Sequence, residues 1–214
     1  MSIPCKAKAG KQPPKEIIAY ELHGNCYLNI TWHCTLRCAF CPKYLGEWVI
    51  QGYDLRLLRE PEVDEIISAI GDPTPYQQIV FCGLGEPTLR LDTLLEVARR
   101  LKSTHPDTCI RINTDGLANL VYEEDVTPRL AGLIDELSIS MNAHNEAVYN
   151  QHCRPKRAGA FEAMLEFAVN ANQHVANVSL TAIDGLEGVD IAACQKLCQE
   201  RGLNFRRRVL DIVG

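Results

Sequence analysis

The sequence predicts an α/β protein built as a partial (β/α)6 barrel of the TIM type. Short apolar segments with strand character alternate along the chain with segments of helical periodicity, which is typical of parallel β/α units. The chain has 214 residues, whereas a complete eight-unit barrel needs about 250 residues. Six units fit this length, so we expect an open, incomplete barrel.

The N-terminal part of the chain precedes the first predicted strands. Met1–Lys15 is rich in Lys and Pro, and we expect it to be a flexible arm before a single core domain over residues 16–214. Glu16–Leu22 and Cys26–Trp32 are predicted strands, joined at Gly24-Asn25 by a hairpin turn.

The rest of the chain is divided into elements by its hydrophobic spacing. Lys43–Arg59 has no clear periodicity and is interpreted as an ordered loop. The further predicted strands are Gln78–Cys82, Cys109–Asn113, Glu136–Met141, Asn177–Ile183 and Asn204–Val209. The predicted helices are Val63–Ile70, a helix capped by Asp92, Glu123–Leu133, Glu146–His152, a helix around Phe161–Ala168, and Ile191–Arg201.

Two of the predicted strands alternate between apolar and polar residues. Arg111 and Asn113 alternate with isoleucines, and Ser138, Ser140 and Asn142 alternate with apolar neighbours. Strands buried on both faces are almost wholly apolar. The alternation therefore favours a barrel whose inner surface binds a polar ligand; the alternative is a sheet with one solvated face.

Composition excludes several classes of protein. The net charge is -5, so we do not expect a nucleic-acid binder, which usually has a strongly basic face. No apolar run approaches the roughly 18–20 residues of a membrane span, and Met1–Lys15 lacks the apolar stretch of a signal peptide. We expect a cytoplasmic protein, in which ten cysteines indicate metal or redox chemistry rather than disulfides.

Three cysteines form the most informative motif. Cys34, Cys38 and Cys41 have the spacing C-x3-C-x2-C directly after a predicted strand, at the rim where barrel active sites lie. Three thiolates suit a soft metal or an iron–sulfur cluster. Three ligands leave one iron of a cubane open. A structural zinc site, with His33 as fourth ligand, is the alternative.

This motif resembles the hallmark C-x3-C-x-aromatic-C of the radical SAM superfamily. The resemblance implies that Cys34, Cys38 and Cys41 hold a [4Fe-4S] cluster, whose open iron binds the amino and carboxylate groups of S-adenosylmethionine (SAM). Phe40 occupies the aromatic position, which lies beside the adenine in the family.

Further segments extend the resemblance from about residue 20 to residue 208. Gly83, Gly85 and Glu86 resemble the family's Gly-Gly-Glu-Pro motif, which binds the methionine amino group, although Leu84 replaces the first glycine. Glycines also permit close approach of the backbone to a ligand. The implied SAM contacts at other strand ends are Asn113 and Thr114 in a T-x-G element, Ser140 and Asn142 near the ribose or carboxylate, and Ile183 against the adenine.

The resemblance implies an activity but no substrate. It implies reductive cleavage of SAM to methionine and a 5′-deoxyadenosyl radical, which abstracts hydrogen from a substrate after an external donor, such as flavodoxin or ferredoxin, has reduced the cluster. The motifs look most like the TatD-linked radical SAM subfamily, which implies a TatD-type hydrolase as functional neighbour. The alternatives are a glycyl-radical-enzyme activase, a deazapurine-type ring-contraction enzyme, or an electron-transfer iron–sulfur module without SAM.

The remaining cysteines and the basic residues receive weaker predictions. Cys194 and Cys198 share a helix face, where packing in the core is favoured over an auxiliary cluster. Cys153 stands in a predicted basic loop and is the one extra cysteine that we interpret as a candidate for chemistry. On the last strand, alternation places Arg206 and Arg208 on the face opposite Arg207.

Overall fold

Six parallel strands form the centre of the fold, which the computed structural model describes over residues 16–209. They belong to a seven-stranded sheet in which every strand neighbours the next one of that sheet along the chain. In chain order the strands of this sheet are β1 (Ala19–Leu22), β2 (Asn25–Leu28), β5 (Ile79–Phe81), β6 (Ile110–Thr114), β7 (Glu136–Ser140), β8 (Asn177–Asp184) and β9 (Asn204–Val209). Only β1 is antiparallel to its neighbour. The α/β class and the partial-barrel arrangement are confirmed.

Helices connect the parallel strands. They are α1 (Pro42–Leu45), α2 (Val63–Ile70), α3 (Leu91–Thr104), α4 (Ala118–Tyr122), α5 (Glu146–Cys153), α6 (Ala160–Ala171) and α7 (Ile191–Glu200), together with 3-10 turns at Pro87–Arg90 and Thr127–Leu130. The expected hairpin at the start is present, and Gly24 in its turn has a φ of 73°, a conformation that glycine adopts at little cost.

The sheet has two unlike faces. On one face, apolar side chains such as Phe81, Ile112 and Ile139 pack with Leu94 and Phe167 of the helices into the main hydrophobic core. On the other face, β6 and β7 present the polar residues predicted from their alternation. We call this second surface the inner face. The core therefore lies between sheet and helices and leaves the inner face of β6 and β7 to polar groups.

The interpretation of Lys43–Arg59 as a loop is wrong. The segment contains most of α1 and a hairpin of two-residue strands, β3 (Val49–Ile50) and β4 (Tyr53–Asp54). Elements this short carry too little periodicity to be detected. Side chains of the hairpin pack with Tyr20 and Tyr27 in a small second apolar cluster.

Two helix predictions are also wrong in detail. The first helical residue of α3 is Leu91, so Asp92 lies inside the first turn and does not cap the helix. The predicted helix Glu123–Leu133 is absent: α4 stops at Tyr122, and Glu123 takes a left-handed φ of 59°. A bond from Val126 N to the Asn119 side chain (3.0 Å) fixes the turn that follows.

Two expectations concern the chain ends and the membrane. Met1–Lys15, predicted as a flexible arm, lies outside the described residues. Within residues 16–209, no helix is long and apolar enough to cross a bilayer.

Candidate active site

The loop that carries the three cysteines lies between β2 and α1, and we call its residues 31–41 the cysteine loop. It is anchored on the C-terminal end of α5: Arg37 N donates to Cys153 O (3.0 Å) and Ala39 N donates to His152 O (2.8 Å). The last carbonyls of a helix have no partner within it. The end of α5 therefore supplies acceptors that position the loop. Lys156 Nζ adds a bond to Cys34 O (2.8 Å).

Cys34, Cys38 and Cys41 are all partly exposed and unpaired with other cysteines in disulfides. Burial raises the pKa of Cys34 and of Cys41. The pKa of Cys38 is raised by a hydrogen bond with Cys153 and also by burial. Because the metal ligand is the thiolate, a cluster bound by these residues would displace their protons.

The sequence predicts that Cys153 lies in a loop, and this prediction is wrong. It is the last residue of α5 and is fully buried. Its side chain contacts Cys38, which places it directly behind the cysteine loop.

The loop after β5 packs tightly against the cysteine loop. Glu86 N donates to His33 O (2.7 Å). A Cβ on Gly85 would lie 2.8 Å from His33 O and closer still to Thr31 O, and one on Gly83 would lie 2.5 Å from Asn29 Oδ1. The sequence analysis explains these glycines by the close approach of a ligand. That explanation is wrong, because the glycines make room for the protein's own chain.

The side chain of Glu86 joins the loop after β5 to the end of β6. Its Oε1 accepts bonds from Thr88 N (3.0 Å), the Thr88 hydroxyl (2.7 Å) and the Thr114 hydroxyl (2.7 Å), and its Oε2 accepts from Asp115 N (2.7 Å). The residue is 3% exposed, and this burial raises the pKa of its carboxyl against the opposing effect of the bonds. The sequence analysis assigned Glu86 only to a SAM contact. The structure adds a second role for Glu86, because its bonds fix the loops of the rim.

The T-x-G element is explained by its local contacts. The Thr114 hydroxyl bonds both Glu86 and Gly116 N, the latter at 3.0 Å. Gly116 has a φ of +75°, and a Cβ there would lie 2.8 Å from the Ile139 side chain. Thr114 and Gly116 are therefore required by the rim itself.

Asp115 is a residue that the sequence analysis missed. Its carboxylate accepts a bond from the Thr35 hydroxyl and one from Leu117 N (3.1 Å), which joins the T-x-G element to the cysteine loop. Burial, and then the neighbouring Glu86, raise its pKa well above the usual range. The only signal in the sequence was the acidic residue between Thr114 and Gly116, where any turn-forming residue would fit equally well.

The remaining predicted SAM contacts lie at strand ends on the same rim. Asn142, with a left-handed φ of 53°, follows β7, and its N–H donates to Thr181 O (3.0 Å) on β8. Ser140 ends β7, and Ile183 lies near the end of β8, 5% exposed and outside both apolar clusters. Phe40 is half-buried in the cysteine loop.

Polar atoms on the inner face lack partners. Within residues 16–209, Asn113 Oδ1 and Asn142 Oδ1 are buried without a hydrogen bond. A buried acceptor without a bond costs about 1–3 kcal/mol, so each is a site where a ligand that donates hydrogen bonds gains affinity. These atoms fit the ribose hydroxyls and amino groups of SAM.

The alternative of a structural zinc site needs a group of ligands around one centre. Among the described residues, no three His, Cys, Asp or Glu side chains are grouped so that one metal ion could bind them all. A zinc ion requires all its ligands within about 2.3 Å of one centre, whereas a cubane binds each thiolate through a different iron. The zinc alternative with His33 therefore gains no support.

Comparisons with known proteins agree with this geometry. The family model "Radical SAM superfamily" matches residues 28–200. A probable dual-specificity RNA methyltransferase, RlmN 1, from Protochlamydia amoebophila (strain UWE25) is 27% identical over 146 residues, which cover 63% of this chain and 37% of that protein. The chain thus spans little more than a third of the length of this curated relative.

Solved structures share the fold at low sequence identity. A radical SAM methyltransferase from Sphaerobacter thermophilus has a TM-score of 0.60 at 14% identity, covering 89% of this chain and 68% of that one. TsrM from Kitasatospora setae, solved with cobalamin and a [4Fe-4S] cluster bound, has a TM-score of 0.55 at 11% identity, covering 83% and 35%. The chain belongs to the radical SAM superfamily, whose enzymes use a [4Fe-4S] cluster and SAM.

Proposed function

We propose that this enzyme binds a [4Fe-4S] cluster through Cys34, Cys38 and Cys41 and uses SAM to abstract hydrogen from a substrate held on the inner face. When bound, cluster and SAM together supply reductive cleavage of SAM to methionine and a 5′-deoxyadenosyl radical. The observation that carries the proposal is the cysteine loop itself, which presents three partly exposed thiols at the rim and is bonded to the loop after β5.

The residues of the rim have distinct roles in this proposal. Asn142, Asn113 and Ser140 supply polar groups to the ribose and the methionine carboxylate, while Phe40 and Ile183 bracket the adenine. Gly83, Gly85, Glu86 and Thr114 fix the backbone that surrounds the methionine amino group. Support comes from the shared rim and from the orphaned oxygens of Asn113 and Asn142.

The cysteine assignment is tested by anaerobic reconstitution followed by electron paramagnetic resonance. Wild type should bind about four irons, as a single cubane does, and the signal of the reduced cluster should change when SAM is added. Cys34→Ala, Cys38→Ala and Cys41→Ala should each lose that signal. Cys109→Ala is the matched control, because Cys109 is also partly exposed but lies before β6, at the opposite end of the barrel. A normal cluster in all three variants would refute the assignment.

The electron donor that we propose is an acidic protein such as flavodoxin or ferredoxin. Arg37, Lys156 and Arg157 are exposed around the cysteine loop, although the net charge of the chain is negative. Complementary charges raise association rates and make them sensitive to salt. Reduction of the cluster by reduced flavodoxin should therefore slow with salt, and Arg37→Glu should slow it at low salt.

Methyl transfer is a second candidate, favoured by the likeness to RlmN 1 and to two methyltransferase structures. If methyl transfer is the function, RNA is a candidate substrate, as it is for RlmN 1. Mass spectrometry with methyl-labelled SAM separates the two functions, because methyl transfer puts label into the product and hydrogen abstraction alone does not.

We also propose membership of the TatD-linked subfamily, a cytoplasmic location and a TatD-type hydrolase as functional neighbour. The support is the set of motifs around the cysteine loop, Glu86, Thr114 and Asn142. Co-purification of a tagged chain with the hydrolase from the same cell tests the partnership, and a hydrolase absent at every salt concentration would contradict it.

A further inference from the structure

Three arginines point to the inner face. Arg111 lies on β6, and Arg206 and Arg208 lie on β9. Arg206 is aligned with Thr181 of β8, and Arg208 with Ile183. The intervening Arg207 points the other way and pairs with Asp184, as the alternation of the strand requires.

The three guanidinium groups have few partners, and those partners are neutral. Arg206 Nη2 donates to Ser138 Oγ (3.1 Å), and Arg111 Nη2 donates to Tyr27 Oη (3.4 Å). The Nε atoms of Arg111 and Arg208 are buried with no acceptor among residues 16–209. Over the same residues none of the three forms an ion pair with a carboxylate, whereas Arg207 does.

The arrangement is electrostatically unfavourable by itself. Partial burial lowers the pKa of Arg206, and the positive charges of Arg111 and Arg208 lower it further, against the smaller opposing effects of Tyr27 and Glu136. An arginine nevertheless stays protonated in proteins. Several guanidinium groups that lie together with unused N–H donors are stabilised by a bound anion. Guanidinium groups bind carboxylate and phosphate in bidentate geometry.

We propose that Arg111, Arg206 and Arg208 form a subsite for an anionic group of the substrate, a carboxylate or a phosphate. This rests on the proposed function and names the substrate class. Arg206 is exposed at the inner face, so an anion can reach the subsite from solvent.

The position of the subsite fits hydrogen abstraction. Arg111 lies two residues before Asn113 on β6, which is about 7 Å further from the rim at the usual rise of a strand. Arg206 and Arg208 are aligned with Thr181 and Ile183 near the end of β8, so the anion is held between the rim and Arg111. The remainder of the substrate extends towards the cysteine loop, where the C–H bond to be broken must lie.

The test measures anion binding by calorimetry on reconstituted protein, with inorganic phosphate and malonate as separate probes. Whichever probe binds more tightly distinguishes a phosphate from a carboxylate. Arg206→Gln and Arg208→Gln should each weaken that binding about tenfold or more, the usual effect of losing a charged hydrogen bond. Arg207→Gln, the matched control on the same strand, should bind like wild type.

A conservative variant separates recognition from folding. Arg206→Lys keeps the charge but loses the planar fork, so we expect an affinity between those of wild type and Arg206→Gln. The proposal is overturned if wild type binds neither probe saturably, or if Arg207→Gln weakens binding as much as Arg206→Gln. Weaker SAM binding in Arg206→Gln, measured in parallel, would also overturn it, because the arginines would then serve the SAM carboxylate.

Failure of the anion subsite can be distinguished from failure of the proposed function. Phosphate and malonate binding is read without turnover, so it is measured even if SAM is not cleaved. Conversely, SAM cleavage without substrate should be unchanged in Arg207→Gln, whose side chain points away from the inner face.

Discussion

Gly85→Ala tests how tightly the loops of the rim are packed. The added methyl would lie 2.8 Å from His33 O and 2.7 Å from Thr31 C, both backbone atoms just before Cys34. No side-chain rotation relieves these contacts. One of the two loops must therefore move, and the bond from Glu86 N to His33 O (2.7 Å) is lost or lengthened.

The cost can be estimated from overpacking in protein cores, which is typically 1–3 kcal/mol. Because the clash is with backbone, we expect the upper end, about 3 kcal/mol. For a chain of this size that lowers the melting temperature by roughly 6–12 °C. Since the displaced residues precede Cys34, the iron bound per chain after reconstitution should fall as well.

Thermal unfolding followed by circular dichroism, together with an iron assay, measures both effects. Gly132→Ala is the control: nothing lies within 4 Å of its added Cβ, so only its left-handed φ adds a cost of about 1–2 kcal/mol, and iron content should not change. A Gly85→Ala protein with the melting temperature and iron content of wild type would refute the reasoning.

Two further predictions concern the contacts behind the cysteine loop and the buried thiols. Thr35→Val removes the hydroxyl bond to Asp115 and leaves a buried carboxylate short of a donor, so it should cost about 1–3 kcal/mol in urea unfolding and reduce iron content. Cys194 and Cys198 are fully buried, which raises their pKa values to about 12 and about 11. Because the reagent cannot reach them, they should resist iodoacetamide in the folded, cluster-free protein, whereas the partly exposed Cys41 should react, as read by mass spectrometry.

Each of these predictions has its own control and contrary result. Thr127→Val removes a comparable bond, from the Thr127 hydroxyl to Asp125 (2.7 Å), away from the cysteine loop. It should lower stability without lowering iron content, and an equal loss of iron in both variants would contradict the role of Thr35. Rapid native labelling of Cys194 or Cys198 would contradict their place in the core.

The sequence was sufficient for elements whose side chains repeat with a clear period. Asn204–Val209 was predicted with its observed bounds, because alternating residues define a strand locally. The failure at Glu123–Leu133 has a local cause: Glu123 has a left-handed backbone conformation, and a separate 3-10 turn with Pro128 near its start begins at Thr127. The helical spacing of apolar residues does not reveal either of these backbone changes.

The candidate site was predicted only as far as motifs extend. The spacing of Cys34, Cys38 and Cys41 identified the cysteine loop. The bond from Thr35 to Asp115 and the bond from Thr114 to Glu86 join residues tens of positions apart, so no local pattern encodes them. The convergence of Arg111 with Arg206 depends likewise on the curvature of the sheet, which alternation along one strand does not determine.

The most direct test of the central claim is the quantity of 5′-deoxyadenosine formed by reconstituted protein given dithionite and SAM without oxygen. Wild type should form it and Cys34→Ala should not, while Cys109→Ala should match wild type. An intact cluster in wild type that yields no 5′-deoxyadenosine, or equal yields from wild type and Cys34→Ala, would contradict the account.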